Sequence, residues 1–200
     1  MGKLIILNGS PRAPKSNSRQ YADIFRKNCK IDVDYFPISK TNHLDLCAKL
    51  DLYSDLLFVF PLYADGIPVT LLNFLKTLEK NPPKKKPTIS MIINCGFTEP
   101  EQNNVAVQMI QIFCKLNGYS FGSTLKIGSG EAILETPFSF LVTSKMKKLS
   151  SSIIQKQYRT FQTTMPLPKK TFIRASTAYW INYGKKNGIS KEQMETMKIE

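Results

Sequence analysis

The residues best suited to chemistry lie in three loops that each follow an apolar run. The first loop is Asn8-Gly9-Ser10-Pro11-Arg12-Ala13-Pro14-Lys15-Ser16-Asn17-Ser18, which follows Leu4-Ile5-Ile6-Leu7. That run is short, apolar and β-branched at its centre, so it reads as a buried strand. A glycine tolerates unusual backbone angles, and Pro11 and Pro14 forbid a continuing ladder or helix until after Pro14, so a loop must follow. Ser16, Asn17 and Ser18 are good N-cap residues for the segment Arg19 to Asn28. Strand, hydroxyl-rich loop and helix N-terminus in succession make an anion site. Unpaired backbone N–H groups and the positive end of the helix dipole favour a phosphate, and Ser10, Arg12, Ser16, Asn17 and Ser18 add side-chain donors. The plainer alternative is a βα connection whose serines only cap the helix; the loop's length and its five donors favour the phosphate. Neither a P-loop lysine motif nor GxGxxG is present.

The second loop, Pro61-Leu62-Tyr63-Ala64-Asp65-Gly66-Ile67-Pro68, follows the apolar run Asp55 to Phe60 and opens a helix. The third, Asn94-Cys95-Gly96-Phe97-Thr98-Glu99, follows Thr88 to Asn94. A flat, partly apolar heteroaromatic ring needs backbone N–H groups for its polar edge and apolar or aromatic walls for its faces, and both loops supply the mixture. Gly96 lets a backbone approach a ring plane, and Tyr63 or Phe97 can stack on it. Core packing is the competing account of those two aromatics, and their place at strand ends tips the reading towards a site.

The elements that must position these loops alternate. Leu4–Leu7, the half-buried edge run Ile31–Phe36, Asp55–Phe60, Thr88–Asn94 and Phe121–Ile127 read as strands. Arg19–Asn28, Thr41–Leu52, Ile67–Leu78 and Glu101–Asn117 read as the helices between them. Strands separated by helices imply parallel pairing with right-handed crossovers, hence a doubly wound sheet of five strands with helices on both faces. Ligands in such sheets bind at the carboxyl ends of the strands near the topological switch point, so the three loops should converge on one crevice. After Thr136 the pattern turns helical: Pro137 to about Ser152, Ile153 to Thr163, and Lys170 to Asn187, ending at Gly188. Phe172, Ala175, Ala178, Tyr179 and Asn182 form a stripe on the last long helix, with Trp180 and Tyr183 nearby, and core packing is its expected role. Ser190 with Gln193 can cap a final short helix.

Composition bounds the rest. Two hundred residues, 42% of them hydrophobic, suffice for one well-buried domain with an appendage. No run of eighteen apolar residues exists and Leu4–Leu7 is too short for a signal-peptide core, so a cytoplasmic, soluble chain is expected. Cys29, Cys47, Cys95 and Cys114 lie far apart with His43 as the one histidine, which argues against any metal site. A formal charge of +13 suits anionic partners. Its dispersal, with Lys84-Lys85-Lys86 set between prolines, reads instead as a general surface property that speeds capture of a polyanionic substrate, so neither a nucleic-acid nor a membrane partner is expected.

The combination NGSPR then SNS, PLYADGIP, NCGFTEPEQN and IGSGEAI resembles the flavodoxin-like NAD(P)H-dependent FMN reductases and their NAD(P)H:quinone reductase relatives. The resemblance implies a flavodoxin-like sheet of order 2-1-3-4-5, an FMN-binding domain over residues 1–135, and a helical C-terminal extension over 136–200 packed on the same domain. It implies that Ser10, Arg12, Ser16, Asn17 and Ser18 hold the FMN phosphate. Pro61, Leu62, Tyr63, Ala64, Asp65 and Gly66, with Asn94, Cys95, Gly96 and Phe97, would border the isoalloxazine, and Gly128–Glu131 would form a peripheral wall. No catalytic acid or base is carried over, because hydride chemistry belongs to the cofactor. NADH or NADPH would be the reductant, a quinone, flavin or similar small molecule the acceptor, and a homodimer the assembly. The chain departs from electron-carrier flavodoxins in lacking a TGxT-type phosphate loop and in its basic charge. Rival readings are a non-catalytic flavin-binding electron-transfer module and a cofactor-free basic α/β binding protein; an absorbance spectrum separates the latter.

Overall fold

The computed structural model describes residues 3–13 and 15–196, so Pro14 of the first loop lies outside the described residues. Strand β1 (Leu4–Asn8) is buried at every position. It pairs in parallel with β2 (Val33–Pro37) on one side and β3 (Asp55–Pro61) on the other. Strands β4 (Thr88–Asn94) and β5 (Phe121–Ile127) continue the parallel sheet. A sixth strand, β6 (Thr160–Thr163), pairs in parallel with β5 and gives the order β2-β1-β3-β4-β5-β6. The order of the first five strands is the one expected. No separate helix forms over Ile153–Thr163: Ile153 and Ile154 close the helix that begins at Ser139, and a strand follows. Thr160-Phe161-Gln162-Thr163 is β-branched or aromatic at three of its four positions, and the otherwise unpaired edge of β5 supplies its ladder.

Helices α1 (Asn17–Asn28) and α5 (Ser139–Ile154) pack on each other and on one face of the sheet. Across the other face, α2 (His43–Lys49), α3 (Val69–Lys80) and α4 (Asn104–Leu116) cover Ile5, Leu7, Leu56, Phe58, Phe60, Met91 and Ile93. Alternate residues of β1 and β3 thus serve opposite layers. That is why both strands read as continuous apolar runs rather than alternating ones.

The chain forms two compact units, Met1–Met165 and Pro166–Glu200. The material after Thr136 therefore divides, with α5 and β6 built into the α/β unit. The second unit holds α6 (Lys169–Lys186) and α7 (Lys191–Thr196). Ser190 and Gln193 form the expected capping box: the Ser190 N–H donates to Gln193 Oε1 at 2.8 Å, and the Gln193 N–H donates to Ser190 Oγ at 3.1 Å. The stripe on α6 is not core, however. Ala175, Ala178, Tyr179 and Asn182 are exposed and Phe172 is half-buried. Within the unit, α7 is only six residues long and covers the Gly184 end of α6, where a Cβ on that glycine would collide with Met194 Sδ.

Candidate functional site

The carboxyl ends of the strands are tied together by a row of backbone bonds. Gly9 N–H donates to Val59 O at 2.9 Å, Leu62 N–H to Asn94 O at 2.7 Å, Cys95 N–H to Ile127 O at 2.9 Å, and Gly130 N–H to Cys95 O at 2.7 Å. These bonds bring the loops after β1, β3, β4 and β5 into one rim. Side chains lock the rim to α1. Asn94 Nδ2 donates to Ser18 Oγ at 3.3 Å and to Phe60 O at 3.2 Å, and the buried Tyr21 hydroxyl donates to Gly130 O at 2.7 Å. Burial pushes the Tyr21 phenol far up, so that it stays a donor.

The first loop is shaped by Asn8, which is fully buried at the end of β1. Its Oδ1 accepts from Ser10 N–H at 2.9 Å and its Nδ2 donates to the Tyr35 hydroxyl at 2.9 Å. Ser10 Oγ in turn accepts from Arg12 N–H at 3.3 Å. Ser16 is the N-cap of α1, its hydroxyl accepting from Arg19 N–H at 3.1 Å. Helix geometry leaves Asn17 N–H and Ser18 N–H without intrahelical acceptors. No acidic residue stands in the first turn of α1 to neutralise its positive end. Arg19 adds a cation there, 4.1 Å above the Tyr35 ring and bonded to Asp23 at 2.9 Å; the Tyr35 hydroxyl and then Asp23 raise its pKa.

These groups open onto a cavity of about 500 Å³, a size suited to a small cofactor. Of the residues singled out in the sequence, Ser10, Arg12, Ser16, Asn17, Ser18, Pro61, Leu62, Tyr63 and Asn94 line it. Ala64, Asp65, Gly66, Cys95, Gly96 and Phe97 do not; they form the adjoining rim. Ala64 and Asp65 sit at φ 46° and 57° in a tight turn closed by reciprocal Tyr63–Gly66 bonds of 3.0 Å. Left-handed conformations at two successive non-glycine residues store strain, as functional loops often do. Tyr63 and Phe97 are both exposed, so core packing does not account for either. Cys95 is buried, with Asn103 Nδ2 donating to its sulfur at 3.3 Å, and burial raises its thiol pKa.

Sequence reasoning passed over Lys15, Arg19 and Gln20, and gave Glu131 only a peripheral place, yet all four line the cavity. The helix period held the signal for Arg19 and Gln20, which lie in the first turns around the same N-terminus as Asn17 and Ser18, and Lys15 stands one residue before the Ser16 cap. Glu131 was not recoverable so: its carboxylate comes to 3.7–4.0 Å from where a Cβ on Gly96 would stand, a contact between loops 35 residues apart in sequence.

A parallel sheet in this order, with helices on both faces and its crevice at the strand carboxyl ends, is a flavodoxin-like α/β fold. No protein-family model and no curated protein matches the sequence. Solved structures do match in shape. A flavodoxin from Streptococcus pneumonia TIGR4 superposes with a TM-score of 0.56 at 14% identity over 76% of this chain and 99% of that one. The azoreductase from Bacillus anthracis str. Sterne gives 0.54 at 14% identity over 78% of this chain and 100% of that one. The NAD(P)H:quinone oxidoreductase from Methanothermobacter marburgensis gives 0.57 at 10% identity over 75% and 95%. At these identities the likeness is one of fold.

Proposed function

We propose that the protein is an FMN-dependent oxidoreductase that takes reducing equivalents from NADH or NADPH and delivers them to a quinone, flavin or similar small acceptor. The observation that carries this reading is a single cavity shared by a phosphate-type cradle and an apolar, aromatic wall: Ser10, Arg12, Lys15, Ser16, Asn17 and Ser18 at the α1 N-terminus, and Pro61, Leu62 and Tyr63 beside them. The donor set is that of a phosphomonoester site, and no acidic residue in the first turn of α1 opposes it. The motifs and the reductases among the fold neighbours support the same reading.

When bound, FMN would supply the hydride and electron chemistry. The chain's part is to bind and orient. Ser10, Ser16, Ser18 and the backbone donors of the α1 N-terminus hold the phosphate, with Asn8 keeping the loop in shape. Pro61, Leu62 and Tyr63 would wall the ring, and the turn at Ala64 and Asp65, closed by the Tyr63–Gly66 bonds, holds Tyr63 at the cavity. Gly96 and Phe97, in the rim beside the cavity, would border the ring. Arg12, Lys15 and Arg19 raise the local concentration of a dinucleotide polyanion. Reductant and acceptor would react with the same bound FMN in turn, which would give ping-pong kinetics.

The assembly we assign is a homodimer formed through α4. Val105, Met109, Ile112 and Leu116 are exposed at 4-3-4 spacing, a self-complementary seam. α4 has no acidic residue and one cation, Lys115, so two copies of a +13 chain meet there without opposing charges. Met109 Sδ approaches to 3.4 Å from a Cβ position on Gly66, which carries the seam to the site's rim.

The test is FMN titration followed by turnover. Saturable quenching of FMN fluorescence and NAD(P)H oxidation with a benzoquinone are expected. Absence of saturable quenching refutes the reading, and quenching without NAD(P)H oxidation reduces it to a flavin-binding module.

A further inference from the structure

We propose that the Pro166–Glu200 unit docks the protein on an anionic membrane surface through α6. This inference is independent of the flavin reading and concerns the part of the chain that the candidate site leaves unused. At 3.6 residues per turn, Phe172, Ile173, Tyr179, Trp180 and Tyr183 share one side of the helix. Within its unit that side is uncovered: Ile173 is 51%, Tyr179 55%, Trp180 45% and Tyr183 53% exposed. The three rings form one patch, with centroids 5.2 Å apart for Tyr179–Trp180, 5.9 Å for Trp180–Tyr183 and 6.3 Å for Tyr179–Tyr183. Around the remaining circumference α6 carries Lys170, Arg174, Lys185 and Lys186, and it contains no acidic residue in its 18 positions.

Each feature suits the same partner. Tyrosine and tryptophan rings, apolar in body and polar at the tip, are the side chains that settle at the headgroup level of a bilayer. Cations on a helix lying in that plane sit in the negative surface potential of anionic lipids, which reaches about 8–10 Å beyond the headgroups and so acts on the far side of the helix as well. A nucleic-acid strand fits less well. Lys170, Arg174 and Lys185 fall on the side opposite the aromatic patch, so a strand stacked on the rings is out of their reach, whereas a surface potential acts on the whole helix. No helix among the described residues is long and apolar enough to cross a membrane, which bears on crossing a bilayer and not on lying upon it.

Trp180 is the only tryptophan in the chain, so its emission reports on this helix alone. The full chain is titrated with vesicles of phosphatidylcholine and phosphatidylglycerol in equal amounts, and separately with pure phosphatidylcholine, while Trp180 emission and co-sedimentation are followed. We expect a blue shift with co-sedimentation on the anionic vesicles, at least tenfold weaker binding to the neutral ones, and release at high salt. Lys170→Gln combined with Lys185→Gln lowers the partition coefficient roughly 25-fold, about fivefold per cation. Tyr179→Ser with Tyr183→Ser retains Trp180 but loses the blue shift, at unchanged far-UV circular dichroism. The proposal is overturned if the anionic vesicles do not sediment the protein. It is equally overturned if Trp180 emission is already blue-shifted in the lipid-free chain, which would place the patch against the α/β unit or a second copy. A single-stranded oligonucleotide that quenches Trp180 with higher affinity than the vesicles at the same salt would make the partner a nucleic acid.

Discussion

Asn8 is the residue through which the candidate site is most open to a decisive test. It is fully buried, its Oδ1 holds the N–H of Ser10 and its Nδ2 holds the Tyr35 hydroxyl, each at 2.9 Å. Asn8→Ala removes both bonds and strands the Ser10 N–H in a position only 4% exposed. An unsatisfied buried donor costs about 1–3 kcal/mol and the lost Tyr35 bond about 1 kcal/mol more, so the variant should lose about 2–4 kcal/mol of stability. Asn8→Asp separates shape from charge. It keeps an acceptor for Ser10 and lets the Tyr35 hydroxyl rotate to donate, so less than about 2 kcal/mol should be lost. It also sets a carboxylate behind the anion cradle, and FMN affinity should fall more than tenfold, about 1.4 kcal/mol or more. Urea unfolding followed by circular dichroism gives the first quantity, and FMN fluorescence titration of the folded variants gives the second. If Asn8→Ala unfolds at the parent's urea midpoint, the loop is not held as described. If Asn8→Asp binds FMN as tightly as the parent, the cradle is not where the phosphate sits.

Four further outcomes are expected. Burial pushes the Cys47 thiol up to about 11 and that of Cys114 up to about 12, while Cys29 is partly exposed; at pH 8 a thiol reagent should label one cysteine quickly in the native chain and four after denaturation. Because those folded-state values lie above the unfolded thiol value of about 8.5, the stability they contribute is complete below that pH and is lost as pH rises towards 11–12, so the urea midpoint should fall across this window and fall less in Cys114→Ala. Gly130→Ala places a methyl 2.8 Å from Asn94 Cβ and 3.2 Å from Cys95 O, at the knot joining β4, β5 and Tyr21; a loss of about 1–3 kcal/mol is expected, read as a lower melting temperature, and an unchanged value refutes the tight junction. Ile112→Lys with Leu116→Lys should convert a dimer into a monomer by light scattering, and a monomeric parent at high concentration excludes the α4 seam.

Strands β1 to β5 were legible because each is a short run of continuous or alternating apolar residues with a proline, glycine or asparagine near its end, and such patterns are a local property of the chain. Thr88–Asn94 and Phe121–Ile127 occupy the residues expected. The capping box at Ser190 and Gln193 was legible for the same reason: its partners are three residues apart. β6 was not, since four residues after a helix acquire strand character only from the free edge of β5.

The candidate site divides along the same line. The donors of the first loop and the helix N-terminus behind them were legible in the residues alone, because capping and loop formation depend on neighbours within a few positions. Tertiary structure alone decided that Asn8 braces the loop through Tyr35, that Asn94 is bonded to Ser18, and that Glu131 reaches Gly96, contacts spanning 27, 76 and 35 positions of chain. It also decided that the aromatic stripe of α6 is surface and not core. A helical period shows which residues share a face, but only the packing of the folded chain determines what, if anything, covers it.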